Sequence, residues 1–468
     1  MEKKGVSMNC DSGRVAALVI LSLVALTGCP VQTDYHFRYI EEAAVAHMIT
    51  QMPPDYPDVR FAVGSDVHFY SRTLGTTGAA FDDYLAHDRK LLVESEEIAA
   101  EIFEEVGHSN LDFMLICGDL TKDGELLNHT LLARYLYDLE ETGTEVYVVP
   151  GNHDQNNPDA FRYSMAGTSP VDTATPDDFR SIYHDFGFSQ AIAADDDSLS
   201  YVVEPVPGLW LLCLDSTDSD RNFRDGYPHV AGRFSPRTVT WIETQLIAAL
   251  QQGKAVMAAM HHGVTPHWAG QVLVQPEYVV NRYEEIRALF AAYHVRCVFT
   301  GHYHSQDVAL HEEEDGGFVY DIETGSFVTY PCPYREITVA DGAMNINSHF
   351  VQAIPSHPDD FTEYAYQYGH DGLYGLVYDV LTDTLPLQPL DAHLISRQVA
   401  DGIMAHYVGD EDSTGLIIPD MAGASPLGRA VLGAGGPLLQ SLWTDSEGAD
   451  NFLDIDLFAG IWTPAPRP

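Results

Sequence analysis

The sequence predicts a layered α/β domain followed by a smaller, mostly helical unit, and two features of the chain support this. From residue 59 onward, short and nearly continuous apolar runs alternate with longer stretches that have helical spacing. Such runs are typical of strands buried on both faces, and the alternation predicts a sheet with largely parallel pairing. Near Pro355 the pattern changes to aromatic residues at helical spacing, such as Phe361 and Tyr364. The predicted strands are 59–63, 113–117, 146–149, 209–214, 255–260 and 295–299, and the predicted helices are 91–106, 126–141, 236–251 and 281–293.

The length and the N-terminal composition divide the chain into four parts. A chain of 468 residues is too long for one ordinary core. We assign residues 59–350 to the α/β domain and residues 356–468 to the helical domain. Residues 1–28 have the basic start and the short apolar run of a secretory signal peptide, and this run is too short to span a bilayer comfortably. Residues 29–58 are then a linker segment.

The signal-like segment ends in Leu26-Thr27-Gly28-Cys29, which resembles a bacterial lipobox. Cleavage before Cys29 would leave this cysteine as a lipid-bearing N-terminus. We therefore expect an extracytoplasmic lipoprotein that is anchored through Cys29 to a membrane, on the periplasmic side or at the cell surface. A plain secretory signal with an incidental cysteine is the alternative.

The charge of the chain is strongly acidic, with 69 acidic against 24 basic side chains and a net charge of −45. Such a surface repels phosphate backbones, so duplex nucleic acid is not an expected partner. It also repels small anionic substrates at long range. A phosphate site in this protein therefore needs local positive charge, which a metal ion can supply.

Candidate metal ligands follow directly after five of the predicted strands. In open α/β sheets, ligands bind beyond the carboxyl ends of the strands, so we expect these segments to meet at one edge. Carboxylate oxygen suits hard or borderline cations, while imidazole suits zinc, iron and other transition metals. The segments are Ser65-Asp66-Val67-His68, Gly118-Asp119, Pro150-Gly151-Asn152-His153-Asp154, His261-His262 and Thr300-Gly301-His302-Tyr303-His304.

These residue types predict a two-metal hydrolytic site that acts on a small phosphate ester. A single carboxylate, here Asp119, can bridge two metals about 3.5–4 Å apart. Such ions bind phosphoryl oxygens and lower the pKa of a bound water, and the resulting hydroxide can attack phosphorus in line. The ligand set accepts iron, manganese, zinc or cobalt.

The ordered motifs resemble the calcineurin-like metallophosphoesterase family, whose pattern runs D-x-H, G-D, G-N-H-[DE], H and G-H-x-H. The resemblance covers roughly residues 59–347 and implies a layered α/β/β/α sandwich. It also implies which residues hold the two ions. These are Asp66, His68, Asp119 and His304 for one ion, and Asp119, Asn152, His261 and His302 for the other. In the same way, it implies that His153 contacts the phosphate and protonates the leaving oxygen, and that Asp154 orients His153.

Further details of sequence favour one subfamily. Purple acid phosphatases carry a tyrosine ligand three residues after the bridging aspartate, whereas this chain has Lys122 there. Segments 118–125, 197–201 and 301–307 are similar to bacterial lipoproteins of the cyclic-nucleotide phosphodiesterase type. The resemblance implies hydrolysis of phosphodiesters, with cyclic nucleotides favoured. Phosphomonoester or nucleotide hydrolysis at the same site is one alternative. A non-catalytic surface binding lipoprotein is another, which the complete ligand set disfavours.

Three further residues are candidates for substrate contact. His262 directly follows a predicted ligand, and it either supports that ligand or touches the substrate. His267 lies near the same motif, although a surface or capping role is the alternative. Arg335 could clamp a phosphate, and a surface ion pair is equally plausible for it.

Overall fold

The computed structural model describes residues 34–86, 88–314, 316–412, 423–444 and 449–466. The predicted signal peptide and Cys29 lie outside these described residues. The strands are β1 Val59–Gly64, β2 Phe113–Cys117, β3 Glu145–Val149, β4 Phe161–Ser164, β5 Gly167–Pro170, β6 Ala193–Ala194, β7 Tyr201–Val206, β8 Leu209–Leu214, β9 Ala255–Met260, β10 Cys297–Thr300, β11 Asp307–Glu312, β12 Phe318–Glu323, β13 Pro333–Ala340, β14 Ala343–Phe350, β15 Phe452–Asp456 and β16 Ile461–Pro464. The α-helices are α1 Arg38–Glu41, α2 Ala43–Ile49, α3 Ala79–Ala86, α4 Ser95–His108, α5 Leu126–Glu140, α6 Pro176–Ile182, α7 Asn222–Asp225, α8 Pro236–Gln252, α9 Gln271–Val274, α10 Tyr283–Ala292, α11 Phe361–Thr384, α12 Pro389–Val408 and α13 Pro426–Ser441.

Two seven-stranded sheets form the centre of the fold, and all six predicted strands belong to them. One sheet has the order β16-β15-β14-β13-β1-β2-β3 and the other has the order β11-β12-β10-β9-β8-β7-β6. Strands β1, β2 and β3 pair in parallel, as do β8, β9, β10 and β12. The other strands of both sheets pair antiparallel, for example β13 with β14. Parallel pairing thus occupies one side of the first sheet, where β3 is the edge strand, and the centre of the second sheet.

The sheets pack face to face, and their apolar inner faces form a common core. Phe61 of β1 stacks on Phe113 of β2 at 4.6 Å between ring centroids, and it meets Phe299 of the opposite sheet edge-on at 5.4 Å. Helices α4 and α5 cover the outer face of the first sheet, and α8 and α10 cover that of the second. This arrangement confirms the predicted α/β/β/α sandwich. Burial of this apolar surface is the main term that stabilises the sandwich.

Local sequence signals set the helix boundaries, as α8 illustrates. The Ser235 hydroxyl accepts a hydrogen bond from the Thr238 amide, and Pro236 occupies the first helical turn, where its missing N–H costs nothing. Gly253 follows the helix with a left-handed φ of 65°, which favours glycine. The helix therefore spans nearly the same residues as the sequence predicts.

The C-terminal region is mainly helical, as expected, but it ends in two strands that the sequence analysis missed. Helices α11, α12 and α13 share an apolar cluster with Tyr278 and Tyr303 from loops of the sandwich. Strand β15 then pairs with β14, and β16 pairs with β15. The final strands of the predicted helical domain 356–468 therefore extend the first sheet. Among the described residues, no helix is long and apolar enough to cross a membrane.

Replacing Ile455 by alanine tests whether β15 belongs to the core of the sandwich. Ile455 is fully buried against the inner face of the sheet. We expect Ile455→Ala to lower the free energy of unfolding by about 2–5 kcal/mol because it leaves a cavity. In β16, Ile461 is 63% exposed, so Ile461→Ala should change this free energy by less than about 0.5 kcal/mol. Equal, small effects in urea denaturation would show that the two strands are peripheral.

Candidate metal centre

The predicted metal ligands lie at the carboxyl ends of β1, β2, β3, β9 and β10, where the two sheets meet. Several of them have a left-handed backbone, which is uncommon for residues other than glycine and concentrates at functional sites. The φ angles are 50° for Asp66, 40° for His68, 50° for Asp119, 77° for His302 and 71° for His304. These strand-end turns direct the polar side chains to one place.

Glycines in the motifs allow the turns to approach each other closely. A Cβ atom at Gly151 would lie 2.2 Å from the Asp119 side chain. A Cβ atom at Gly301 would lie 1.8 Å from Ser65 Oγ and 2.5 Å from Asp66 Oδ2. Any larger residue at either position would displace a carboxylate of the site. The glycines of the G-N-H and G-H-x-H motifs therefore allow the strand-end turns to pack closely around the candidate ligands.

Asp66, His68 and His304 form the first group of donors, and all three are buried. Asp66 Oδ1 lies 3.2 Å from His304 Nε2 and 3.7 Å from His68 Nε2. The two imidazole Nε2 atoms are 3.3 Å apart. Ser65 Oγ and the His302 amide both donate to the other oxygen of Asp66, at 2.6 and 2.9 Å. The carboxylate is thereby fixed with Oδ1 facing the two histidines.

Asp119, His261 and His302 form the second group of donors, and Asn152 adjoins it. Asp119 Oδ2 lies 3.3 Å from His261 Nε2, and Asn152 Oδ1 lies 3.1 Å from the same nitrogen. Asp119 Oδ2 is also 3.8 Å from His68 Nε2 in the first group. One oxygen of Asp119 therefore stands between the two groups.

The donor chemistry and the burial of these groups fit a metal site. Asp66 Oδ1 and His302 Nε2 are buried, and neither has a hydrogen-bond partner among the described residues. Leaving a buried polar atom unpaired is costly, and metal coordination is one way to satisfy it. Aspartate oxygen together with imidazole nitrogen is a ligand set of transition metals.

Hydrogen bonds behind two of the histidines, His261 and His304, fix the orientation of their rings. His261 Nδ1 donates to the Cys117 carbonyl at 2.8 Å, and His304 Nδ1 lies 3.0 Å from Thr329 Oγ1. In each ring the Nε2 atom is left facing the site, as is usual for metal-binding histidine. Thr329 carries no motif in the sequence, so sequence analysis did not identify it.

His153 lies beside Asp119, and Asp123 holds it there. The His153 amide donates to Asp119 Oδ1 at 2.8 Å, and its Nδ1 donates to Asp123 Oδ1 at 3.0 Å. The Lys122 ammonium donates to the other oxygen of Asp123. With 13% of its side chain exposed, His153 is the most accessible histidine of the site. It is therefore the one that a ligand reaches most easily.

The charged groups of Asp119, His153, Asp123 and Lys122 shift the pKa values of one another. Burial disfavours the charged imidazolium of His153, but the carboxylates of Asp119 and Asp123 outweigh it and raise the pKa of His153 to about 9. Burial opposes ionisation of Asp123, yet the Lys122 ammonium and His153 lower the pKa of Asp123 to about 2. The Lys122 ammonium also lies 4.2 Å from the centroid of the Tyr84 ring.

The expectation that Asp154 orients His153 is wrong. The Asp154 carboxyl group instead accepts hydrogen bonds from the amides of Leu120, Thr121 and Gly151, at 3.1, 3.0 and 2.8 Å. It thus joins the turns after β2 and β3. Adjacent residues in a tight turn point in different directions, which is why the neighbour of His153 in sequence is not its partner in space. Asp123 lies in the segment 118–125 that the sequence analysis singled out, but nothing in its spacing reveals the contact.

His262 and His267 are both buried and supported from within the protein. His262 Nε2 donates to the Val230 carbonyl at 2.8 Å, and Ser216 Oγ lies 2.8 Å from its Nδ1. Burial lowers the pKa of His262 to about 3, so its ring is neutral. His267 Nδ1 donates to Asp307 Oδ1 at 2.6 Å. Both nitrogens of His262 and the Nδ1 atom of His267 thus contact groups of the protein, and substrate contact by either residue stays a prediction.

Arg335 does not lie at the surface or at the donor groups, so the predicted phosphate clamp is wrong. Its side chain is fully buried on β13. The guanidinium donates to the carbonyls of Asp450 and Glu323 and to Ser348 Oγ. Arg335 therefore joins β12 of the second sheet to the segment that precedes β15 of the first sheet. No motif in the sequence indicates this contact.

In a comparison with family models, residues 59–306 match the model described as calcineurin-like phosphoesterase. These residues make up more than half of the chain and contain every motif of the site. The chain belongs to the calcineurin-like phosphoesterase family. Its buried histidine and aspartate groups are the fitting place for the metal ions of a phosphoesterase of this family.

Individual relatives match parts of this phosphoesterase. Over 57 residues it is 35% identical to a probable cyclic nucleotide phosphodiesterase of Vesicomyosocius okutanii subsp. Calyptogena okutanii (strain HA), a stretch that covers 12% of this chain and 23% of the relative. The match thus spans less than a quarter of the length of that relative. A dimetal phosphatase from Danio rerio is 14% identical, with a TM-score of 0.45 over 63% of this chain and 97% of that one. The NAD nucleotidase of Haemophilus influenzae is 9% identical, with a TM-score of 0.33 over 64% of this chain and 50% of that one.

Replacing Asp123 by asparagine tests whether this carboxylate positions His153. We expect Asp123→Asn to lower kcat about 10–100-fold while metal content stays unchanged, because the ring loses its anionic acceptor. Asp119→Asn should instead lose bound metal together with activity. Asp138→Asn, on the exposed side of α5, is the matched control. Elemental analysis and steady-state kinetics check these outcomes, and a full rate in Asp123→Asn would contradict the role of Asp123.

Proposed function

We propose that this phosphoesterase hydrolyses phosphodiesters, with cyclic nucleotides as the favoured class. The observation that carries the proposal is the position of Asp119 Oδ2 between two buried donor groups, with His153 Nε2 3.9 Å from the same oxygen. Such a juxtaposition suits an in-line displacement at phosphorus between two ions.

Each of the two donor groups would hold one metal ion. Asp66, His68 and His304 would hold one ion, Asn152, His261 and His302 would hold the other, and Asp119 would bridge them. Iron, manganese, zinc and cobalt all suit these donors. When bound, the ions supply Lewis acidity toward the phosphoryl oxygens, and they lower the pKa of water so that hydroxide is available as the nucleophile at neutral pH.

His153 would donate a proton to the leaving oxygen as its bond to phosphorus breaks. The contact of Nδ1 with Asp123 fixes the ring and leaves Nε2 as the nitrogen on the side of Asp119. For a cyclic nucleotide, the broken P–O bond opens the ring and yields a phosphomonoester. A positioned general acid of this kind contributes about 10²–10⁴-fold to rate.

The charge of the chain favours a diester over a monoester. Near pH 7 a phosphodiester carries one negative charge, whereas a phosphomonoester carries close to two. A protein with a net charge of −45 repels the more highly charged ester more strongly. The probable cyclic nucleotide phosphodiesterase that matches a short stretch of the chain agrees with this preference.

A comparison of two chromogenic esters tests the proposed specificity. With the metal-reconstituted enzyme, we expect kcat/KM for bis-p-nitrophenyl phosphate to exceed that for p-nitrophenyl phosphate at least about tenfold, a difference of about 1.4 kcal/mol in activation free energy. Hydrolysis of 3′,5′-cyclic AMP should follow the diester. Preference for the monoester would make the enzyme a phosphomonoesterase or nucleotidase. Failure on all three esters with metal bound would favour a binding protein.

We also propose that the enzyme is an extracytoplasmic lipoprotein anchored through Cys29. The motif Leu26-Thr27-Gly28-Cys29 after a short apolar run supports this. Expression of the full chain in a bacterium supplied with labelled palmitate should give a labelled protein in the membrane fraction. Cys29→Ser should remove the label, and Cys332→Ser, at a buried cysteine, should retain it. Absence of label in the parent chain would leave a plain secretory signal.

A further inference from the structure

A phosphate anion that reaches this site must approach through a strongly acidic protein, so cations beside the donor groups are of special interest. Arg89 and Lys90 lie in the segment between α3 and α4, and both are buried, at 8% and 4% exposure. Burying a cation is costly unless an anion pairs with it. The surroundings of this Arg89–Lys90 pair therefore indicate what it is for.

The backbone fastens the pair to the loop that positions the metal donors. The Leu91 amide, next to Lys90, donates to the Val328 carbonyl at 2.7 Å. In the same loop, Ser326 Oγ donates to the Asp66 carbonyl at 2.8 Å. Thr329 Oγ1, the next side chain after Val328, contacts His304 Nδ1. Lys90 is thus tied to the support of the first donor group.

The C-terminal helices hold the pair from the other side. Arg89 Nε donates to the Tyr407 hydroxyl of α12 at 2.7 Å, and the Tyr407 ring lies 6.5 Å from that of His304. In α11, a Cβ atom at Gly372 would lie 2.7 Å from the Asp88 carbonyl, so the helix packs directly on this segment. Helices α11 and α12 therefore keep the pair at the edge of the metal centre.

The ammonium of Lys90 is only weakly neutralised by the protein. Within the described part of the chain, Asp88 is the one carboxylate within 4.0 Å of it, at 3.7 Å, which is beyond hydrogen-bond distance. The burial of Lys90 and the ties of its segment to Val328 and Tyr407 place this residue beside the support of the first donor group.

We propose that Lys90 binds a non-bridging phosphate oxygen beside the metal centre and thus forms an oxyanion subsite for the substrate or for the phosphate product. This inference rests on the proposed function, because it assumes that a phosphate group occupies the donor groups. A compact ammonium on a flexible stem is a usual partner of phosphate as a point charge. The C-terminal helices then have a role in the site, since they hold the Arg89–Lys90 pair in place.

Binding of inorganic phosphate to the metal-loaded enzyme tests the subsite without any turnover. By isothermal titration calorimetry, we expect Lys90→Gln to raise the Kd for phosphate about 10- to 100-fold, as for the loss of one hydrogen bond to a charged group. Lys90→Arg keeps the charge and should stay within about threefold of the parent. Lys254→Gln is the matched control, because Lys254 also loses one charge but pairs with Glu204 away from the site. Elemental analysis should give the same metal content for all four proteins.

Kinetic measurements separate this proposal from the proposed function. If the enzyme hydrolyses diesters, Lys90→Gln should raise KM for bis-p-nitrophenyl phosphate by a similar factor. If the parent hydrolyses no ester but its phosphate affinity still depends on Lys90, the proposed function fails and the subsite stands. An unchanged Kd in folded, metal-loaded Lys90→Gln would overturn the subsite, whatever the activity. If Lys90→Gln does not fold, Lys90→Arg decides the question. A Kd for phosphate in Lys90→Arg that is more than tenfold higher than the Kd of the parent would overturn the role of Lys90 as a point charge.

Discussion

The convergence of both sheets on one carboxylate oxygen is the constraint on which the site depends. Asp119 Oδ2 has His68 from the first sheet at 3.8 Å and His261 from the second sheet at 3.3 Å. Buried carboxylates and imidazoles at such distances are costly without a compensating ion. The left-handed backbone at Asp66 and Asp119 adds local strain. The large apolar core between the sheets stabilises the fold enough to tolerate both.

Local charge and net charge act in opposite directions in this protein. The surface carries a large negative excess, yet the ammonium groups of Lys90 and Lys122 are buried close to the metal centre. Lys122 neutralises Asp123 and lies against the Tyr84 ring, so its charge is used inside the protein. Lys90 has a weaker internal partner. An anion at the site therefore meets a field that the overall composition does not suggest.

The sequence predicts the fold and the gathering of donors because both depend on local patterns. Apolar runs define the buried strands, and the residues after each run must lie at the strand ends. Contacts between side chains far apart in sequence follow no such rule. Asp123 pairs with His153 in place of Asp154, and Arg335 lies in the interior, because turn geometry and packing decide these contacts. Strand β15 escaped prediction because aspartates interrupt its apolar residues, whereas the predicted strands are nearly continuous apolar runs.

The pairing of β15 with β14 has a consequence for how the molecule is completed. The three C-terminal helices leave the sandwich after β14 and return to it through β15, so both ends of this excursion are tied to the same sheet. Strand β14 acquires β15 as its second neighbour only after the three helices between them have been synthesised. A nascent or truncated chain would leave β14 with unpaired amide and carbonyl groups, which invite association with other chains. This edge of the first sheet is therefore covered only once the chain has passed through all three helices.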